Sequence, residues 1–168
     1  MINILIVSAT SGNNLILAKE IKNVSENKKV KVTIVNLEEY VIPLYTTAKN
    51  NKIIPSEIGL LTKKFINTDA FIFCAPEYNG SIPPILTNLI AWISVSTSHW
   101  RDVFNGKIGL LATHSGGLGT NILRSMRIQL EHLGVLVLPR TIVVNKNSNF
   151  NAESCKNKIE QLISLIKK

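Results

Sequence analysis

The chain is short of cysteine, of charge and of long apolar runs, and each shortage removes a class of protein. Two cysteines, Cys74 and Cys155, in 168 residues cannot build a disulfide framework or a cysteine-rich zinc site. Cys74 closes the apolar run Phe71-Ile72-Phe73-Cys74 and reads as a small buried residue. Cys155 falls among lysines on a terminal helix, with no histidine close by in sequence. No apolar run is long enough to span a bilayer. The first segment, Ile2–Val7, leads straight into a polar, glycine-containing turn. It reads as a strand, because a secretory leader needs a basic start, a longer apolar stretch and a small-residue cleavage site. The expected compartment is the cytoplasm, with no membrane contact. Internal repeats, low-complexity segments and interdomain linkers are also missing, so one domain over residues 1–168 is expected.

Hydrophobic residues make up 45% and charged residues only 18% of the chain, with a mean hydropathy of +0.19. That balance excludes intrinsic disorder. The formal net charge of +8 raises the question of nucleic acid. However, the charge comes mostly from scattered lysines, with few arginines, no basic stripe interleaved with aromatics and no nucleic-acid motif. No nucleic-acid partner is expected. The charge reads as a solvated surface, or as a means of attracting an anionic small molecule such as a nucleotide.

Apolar runs of strand length alternate with segments of helical period. Strands are predicted at Asn3–Val7, Val30–Val35, Ala70–Cys74, Ile108–Thr113 and Val135–Val144, the last broken near Pro139-Arg140. Helices are predicted at Leu15–Asn23, Ser56–Ile66, Ile85–Ser94, Thr120–Leu133 and Ala152–Lys167. The strand centres are apolar without strict alternation, as in strands covered on both faces. Five β-α repeats predict an α/β fold, a doubly wound five-stranded parallel sheet with helices on both faces. The longest irregular stretch, Leu37–Pro55, reads as a surface excursion, and Thr97–Gly106 as a shorter break. In such a sheet ligands bind beyond the strand carboxyl ends, where the strand order reverses. The loops after strands one, three and four therefore carry the interest.

The first loop, Ser8-Ala9-Thr10-Ser11-Gly12-Asn13-Asn14, offers hydroxyls, amides and a helix start, which suit a phosphate. It also suits an ordinary helix cap from Ser11 or Asn13. It holds no lysine or arginine, and its glycine spacing matches neither the dinucleotide fingerprint nor the Walker loop. The second, Ala75-Pro76-Glu77-Tyr78-Asn79-Gly80-Ser81-Ile82-Pro83-Pro84, reads as one wall of a small-molecule site. Tyr78 presents a flat face, backbone amides around Asn79-Gly80 can reach polar ring edges, and the two prolines stiffen the helix entry. The third, Thr113-His114-Ser115-Gly116-Gly117-Leu118-Gly119, brings backbone close to something planar or bulky. His114 either bonds a ligand or caps the strand end. In the helix after the second loop, Ile85, Leu89 and Trp92 form one apolar row and Leu86, Ile90 and Ile93 a second. The extra row means either a wider core contact or a subunit interface.

The chain resembles the NADPH-dependent FMN reductase family, a flavodoxin-like group that includes quinone, azo-dye and chromate reductases. The resemblance rests on Pro76-Glu77-Tyr78-Asn79-Gly80-Ser81-Ile82-Pro83 followed by Leu86, Asn88, Ile90 and Trp92. The stretch Asn36-Leu37-Glu38-Glu39-Tyr40 through Pro43-Leu44-Tyr45 and the triplet Ser115-Gly116-Gly117 are also similar. The first loop departs from the family's Gly-Ser-x-Arg element by lacking the arginine, though Asn14 with Leu17-Ala18 keeps the pattern that follows. It leans toward the Thr-x-Thr-Gly-x-Thr pattern of flavodoxins, with Ser8 and Thr10 in the first two hydroxyl places.

The resemblance implies the strand order 2-1-3-4-5 and FMN as cofactor, with NADPH or NADH as reductant. Its phosphate would sit at Ser8, Thr10, Ser11, Asn13, Asn14 and Leu15. Its ring would lie between Pro76, Glu77, Tyr78, Asn79 and Gly80 on one side and His114, Ser115, Gly116 and Gly117 on the other. Hydride transfer to a flavin needs no protein acid or base, which agrees with the lack of a catalytic triad, paired carboxylates or metal-ligand spacing. The resemblance further implies a small-molecule electron acceptor, such as a flavin or quinone, ping-pong turnover, and a homodimer or homotetramer. Two other functions stay open: a flavodoxin-like electron carrier, against which the strong positive charge argues, and a non-catalytic ligand-binding module.

Overall fold

Successive residues of the central strands send side chains to opposite sides of a sheet that is apolar on both faces, and this builds two cores. The computed structural model describes residues 1–47 and 54–166. Its strands are β1 (Ile2–Ser8), β2 (Val30–Asn36), β3 (Ala70–Cys74), β4 (Ile108–His114), β5 (Leu136–Val137) and β6 (Ile142–Val144). The helices among the described residues are α1 (Asn13–Ser25), α2 (Ser56–Ile66), α3 (Pro84–Val95), α4 (Thr120–His132) and α5 (Ala152–Leu165). A short 3₁₀ turn, Leu37–Glu39, follows β2. All strand pairs of the sheet are parallel, in the order β2-β1-β3-β4-β5, with β6 also on β4.

Leu5, Val7, Phe71, Phe73 and Leu111 face one way and pack under α2, α3 and α4. Ile4, Ile6, Ile72, Cys74 and Leu110 face the other way, under α1 and α5. The doubly wound sheet and the strand order are as expected. Cys74 and Cys155 are both free and buried in the second core. Burial pushes both thiols up, Cys155 to about 11, so neither is a ready nucleophile.

The last strand is broken as its Pro139 foretold. The guanidinium of Arg127, from α4, donates to the carbonyls of Val137 at 3.1 Å and Leu138 at 2.6 Å. It thereby satisfies backbone acceptors where the strand ends. The second apolar row of α3 is core rather than interface. Leu86, Ile90 and Ile93 are buried along with Leu89 and Trp92 in the core between sheet and helices, and the segment after β2 folds over the helix on its Asn88–Trp92 side. There the Pro43 carbonyl accepts from Asn88 Nδ2 at 3.0 Å and Trp92 Nε1 at 2.7 Å, while the Tyr45 amide donates to Asn88 Oδ1 at 2.8 Å. Of the predicted Leu37–Pro55 excursion, residues 48–53 lie outside the described residues, as does Lys167 at the end of the predicted last helix.

Candidate functional site

Parallel strands that all end at one edge deliver their loops to that edge, and here side chains tie the loops to each other. Asn14, buried at the start of α1, accepts from the His114 amide at 2.8 Å and donates to the His114 carbonyl at 2.9 Å. The first loop is thus clipped to the third. Thr113 Oγ1 donates to the Ala75 carbonyl at 2.7 Å, and the Glu77 amide donates to Ser115 Oγ at 3.0 Å. The Glu77 carboxylate accepts from the amides of Asn121 at 3.0 Å and Ile122 at 3.2 Å. It caps α4 from another loop, a task that Gly119 at the helix start has no side chain to perform.

In the first loop, Ser8 is fully buried and donates its hydroxyl to the Thr10 carbonyl at 2.8 Å. Neither Ser11 nor Asn13 caps α1: the helix begins after Gly12 with no side-chain cap. Its leading amides therefore remain available to an anion. The Leu15 amide is already turned back onto the Gly12 carbonyl, at 2.9 Å. The Ser11 amide instead donates to Glu38 Oε2 at 2.6 Å. Ser11 Oγ accepts from Asn36 Nδ2 at 3.0 Å. Hydrogen bonds from the Ser11 hydroxyl and amide hold the Glu38 carboxyl below the usual carboxylate range.

The second loop makes a tight turn in which Tyr78 and Ser81 exchange backbone hydrogen bonds at 3.1 and 2.9 Å. Asn79 and Gly80 both take positive φ, 49° and 69°. That is the two-residue geometry for which Asn-Gly is the preferred pair. It holds the half-exposed Tyr78 at the rim of the site. In the third loop, a Cβ on Gly119 (φ 62°) would come within 2.6 Å of Thr113, so that glycine serves the fold. Gly116 and Gly117 face open space, leaving their backbone free for a flat partner.

A cleft of about 510 Å³ lies between these loops, lined by Asn13, Pro76, Glu77, Tyr78, His114, Ser115 and Gly116. Asn145, Lys146 and Asn149 close its far side, and the sequence reading missed all three. They belong to a turn after β6 in which Asn145 and Ser148 exchange backbone hydrogen bonds. The signal was available, since any loop after the last strand also reaches the carboxyl edge. Of the six predicted first-loop residues only Asn13 lines this cleft; Ser8, Thr10, Ser11, Asn14 and Leu15 do not, nor do Asn79, Gly80 and Gly117. Gly117 lines a neighbouring hollow of about 330 Å³ with Glu77 and Asn121. A larger hollow of about 750 Å³ lies at the opposite, amino edge, around Ile2, Lys29, Asp69 and Ile163. It is mostly apolar and lies away from the strand carboxyl ends, where ligands of such sheets bind. No group of acidic, histidine or cysteine side chains suited to a metal occurs among the described residues.

A doubly wound sheet with a loop-built cleft at its carboxyl edge defines a nucleotide- or flavin-binding type of protein. The chain matches the family description "NADPH-dependent FMN reductase" over residues 2–149 and belongs to that family. FMN and a reduced nicotinamide are the cofactors this membership assigns. Among curated relatives, an NAD(P)H:quinone oxidoreductase from Solanum tuberosum is 34% identical over 76 residues, 45% of this chain and 37% of that one. A 2-hydroxy-1,4-benzoquinone reductase from Burkholderia sp is 27% identical over 116 residues, 66% of this chain and 61% of that one. The matches thus span less than two thirds of either relative. Among solved structures, the flavoenzyme NAD(P)H:(acceptor) oxidoreductase FerB from Paracoccus denitrificans superposes with a TM-score of 0.80 at 16% identity, over 99% of this chain and 97% of that one. An archaeal flavodoxin does so with a TM-score of 0.68 at 16% identity, over the whole of both chains. These likenesses establish the fold.

Proposed function

We propose that the protein is an FMN-dependent NAD(P)H oxidoreductase, taking hydride from the nicotinamide and passing the electrons to a flavin, quinone or similar small acceptor. The observation that carries this reading is the convergence of loops after β1, β3, β4 and β6 on one cleft, in a chain of the FMN reductase family.

The residues present fit the cofactor. The uncapped start of α1 suits its phosphate. The open backbone of Gly116-Gly117 suits its ring, and the Asn79-Gly80 turn sets Tyr78 beside the same cleft. When bound, FMN supplies the two-electron chemistry itself. The second and third loops would hold the ring between them, and a reductant and an acceptor using the same open side of the cleft in turn would give ping-pong turnover. Lys146, the cationic side chain lining the cleft, adds attraction for the anionic nicotinamide dinucleotide.

The chain acts in the cytoplasm under this reading, supported by two free, buried thiols. No described helix is long and apolar enough to cross a membrane. Assembly as a homodimer or homotetramer is supported by Val41 and Leu44, apolar yet exposed on the segment held by α3. Light scattering after size exclusion tests that, and a monomer at micromolar concentration sinks it.

The test of function is anaerobic. The protein is mixed with FMN, its visible spectrum is recorded, and NADPH or NADH is added. Bleaching of the bound flavin band is the expected result. Binding without bleaching marks an electron carrier, and no binding marks a different ligand.

A further inference from the structure

The first loop contains no lysine or arginine, yet it is not without a charged partner. The side chain that meets it is a carboxylate. Glu38 stands on the 3₁₀ turn after β2, and its Oε2 accepts from the Ser11 amide at 2.6 Å. The arrangement is built from several sides. Asn36 accepts from the Glu38 amide at 3.4 Å through Oδ1, and its Nδ2 donates to Ser11 Oγ at 3.0 Å and to Glu39 Oε1 at 3.1 Å. Because β1 and β2 run parallel with Ser8 opposite Asn36, the register brings Ser11 and Glu38 together.

A carboxylate on a loop amide just ahead of an uncapped helix uses the donor geometry that a phosphate oxygen would use. The two anions compete for the same donors. We propose that Glu38 is a resident counter-anion of the first loop, displaced when the FMN phosphate binds, and that it sets the cofactor's affinity. This rests on the placement of the phosphate at the first loop in the proposed function. Glu38 holds the loop in shape while the site is empty. Once displaced it remains near the phosphate, with Glu39 beside Asn36, and opposes it by like-charge repulsion. Glu38 is solvent-exposed, so it can swing away without uncovering core.

The competition is specific to the phosphate, which gives it a clean control. Riboflavin carries the same ring and ribityl chain without the phosphate. In Glu38→Gln the like charge is lost while an acceptor for the Ser11 donors remains. Flavin fluorescence quenching with the apoprotein should show FMN binding tightened roughly two- to fivefold, as expected for one solvent-screened charge pair. Riboflavin affinity should not move. Unchanged or weaker FMN binding, or an equal gain for riboflavin, would overturn the proposal. Glu38→Ala repeats the measurement, with circular dichroism confirming that each apoprotein is folded. Asn13→Asp separates the two layers of the argument by placing a new carboxylate at the loop. If it weakens FMN but not riboflavin, the phosphate sits there, and an inert Glu38→Gln then refutes the inference alone. If it changes neither, the placement fails and the inference fails with it.

Discussion

Asn14 shows how one side chain can serve a site without facing its ligand. Its carbonyl and amide groups are both spent on the backbone of His114, a hundred residues away, and only 2% of the residue is exposed. Replacement by leucine keeps the branching and the number of side-chain heavy atoms and removes both partners. The His114 amide and carbonyl are then left to desolvated surroundings, which costs about 1–3 kcal/mol. Urea unfolding should register that loss, and a change within error would show that water replaces the clip. The turn after β3 makes a different residue-scale claim. Valine at Gly80 meets a φ of 69°, a region a β-branched residue avoids, so the turn must deform and carry Tyr78 with it. Gly80→Val and Tyr78→Ala should each weaken FMN binding, by roughly three- to tenfold for the loss of an aromatic contact. Unchanged affinity in both variants refutes the placement of the ring beside this turn.

At the scale of elements, one ammonium joins a helix to a strand. Lys107, just before β4, donates to the carbonyls of Phe65 at 2.6 Å and Ile66 at 2.9 Å, at the end of α2. Burial pulls its ammonium down to about 8, against the attraction of Asp69. Below about pH 8 the group is charged in folded and unfolded chain alike, and the cost of burying the charge is fully present. Between there and the usual lysine value near 10.5 the unfolded chain holds a proton that the folded chain has released. Stability from this group therefore rises with pH across that window. Urea melts near both ends of the window should show a larger gain for the wild type than for Lys107→Met. Equal gains would mean that the two carbonyls keep the ammonium charged.

Elements were the most legible scale. β1, β3 and β4 are covered on both faces and read as short apolar runs, and α2 was bounded by Pro55 before it. The cover over α3 was not legible. Its Asn88–Trp92 side is met by Tyr45, edge-on to Trp92 with ring centroids 5.3 Å apart, and no periodicity within a helix reveals which distant segment will close over it. The same holds for Glu77. Its place in the second loop was readable, but its bonds to the Asn121 and Ile122 amides come from tertiary approach alone.

Across the whole molecule, the hydrogen bonds Asn14–His114, Thr113–Ala75, Glu77–Ser115 and Glu77–Asn121 join three loops into one unit before any ligand arrives. A preformed site loses little free energy to ordering its loops on binding. The gain from cofactor binding should then appear as stability of the entire fold rather than as local folding. At a free FMN concentration of about 100 times Kd, linkage adds about 2.7 kcal/mol. For a chain of this size that is an upward shift in Tm of roughly 5–10 °C. The shift should come with no change in far-UV circular dichroism, since strands and helices already stand. Calorimetry of the apoprotein with and without FMN measures the first quantity, and circular dichroism the second. A large gain of secondary structure on FMN addition would mean that the loops are assembled by the cofactor, and that the network among them is a consequence of binding.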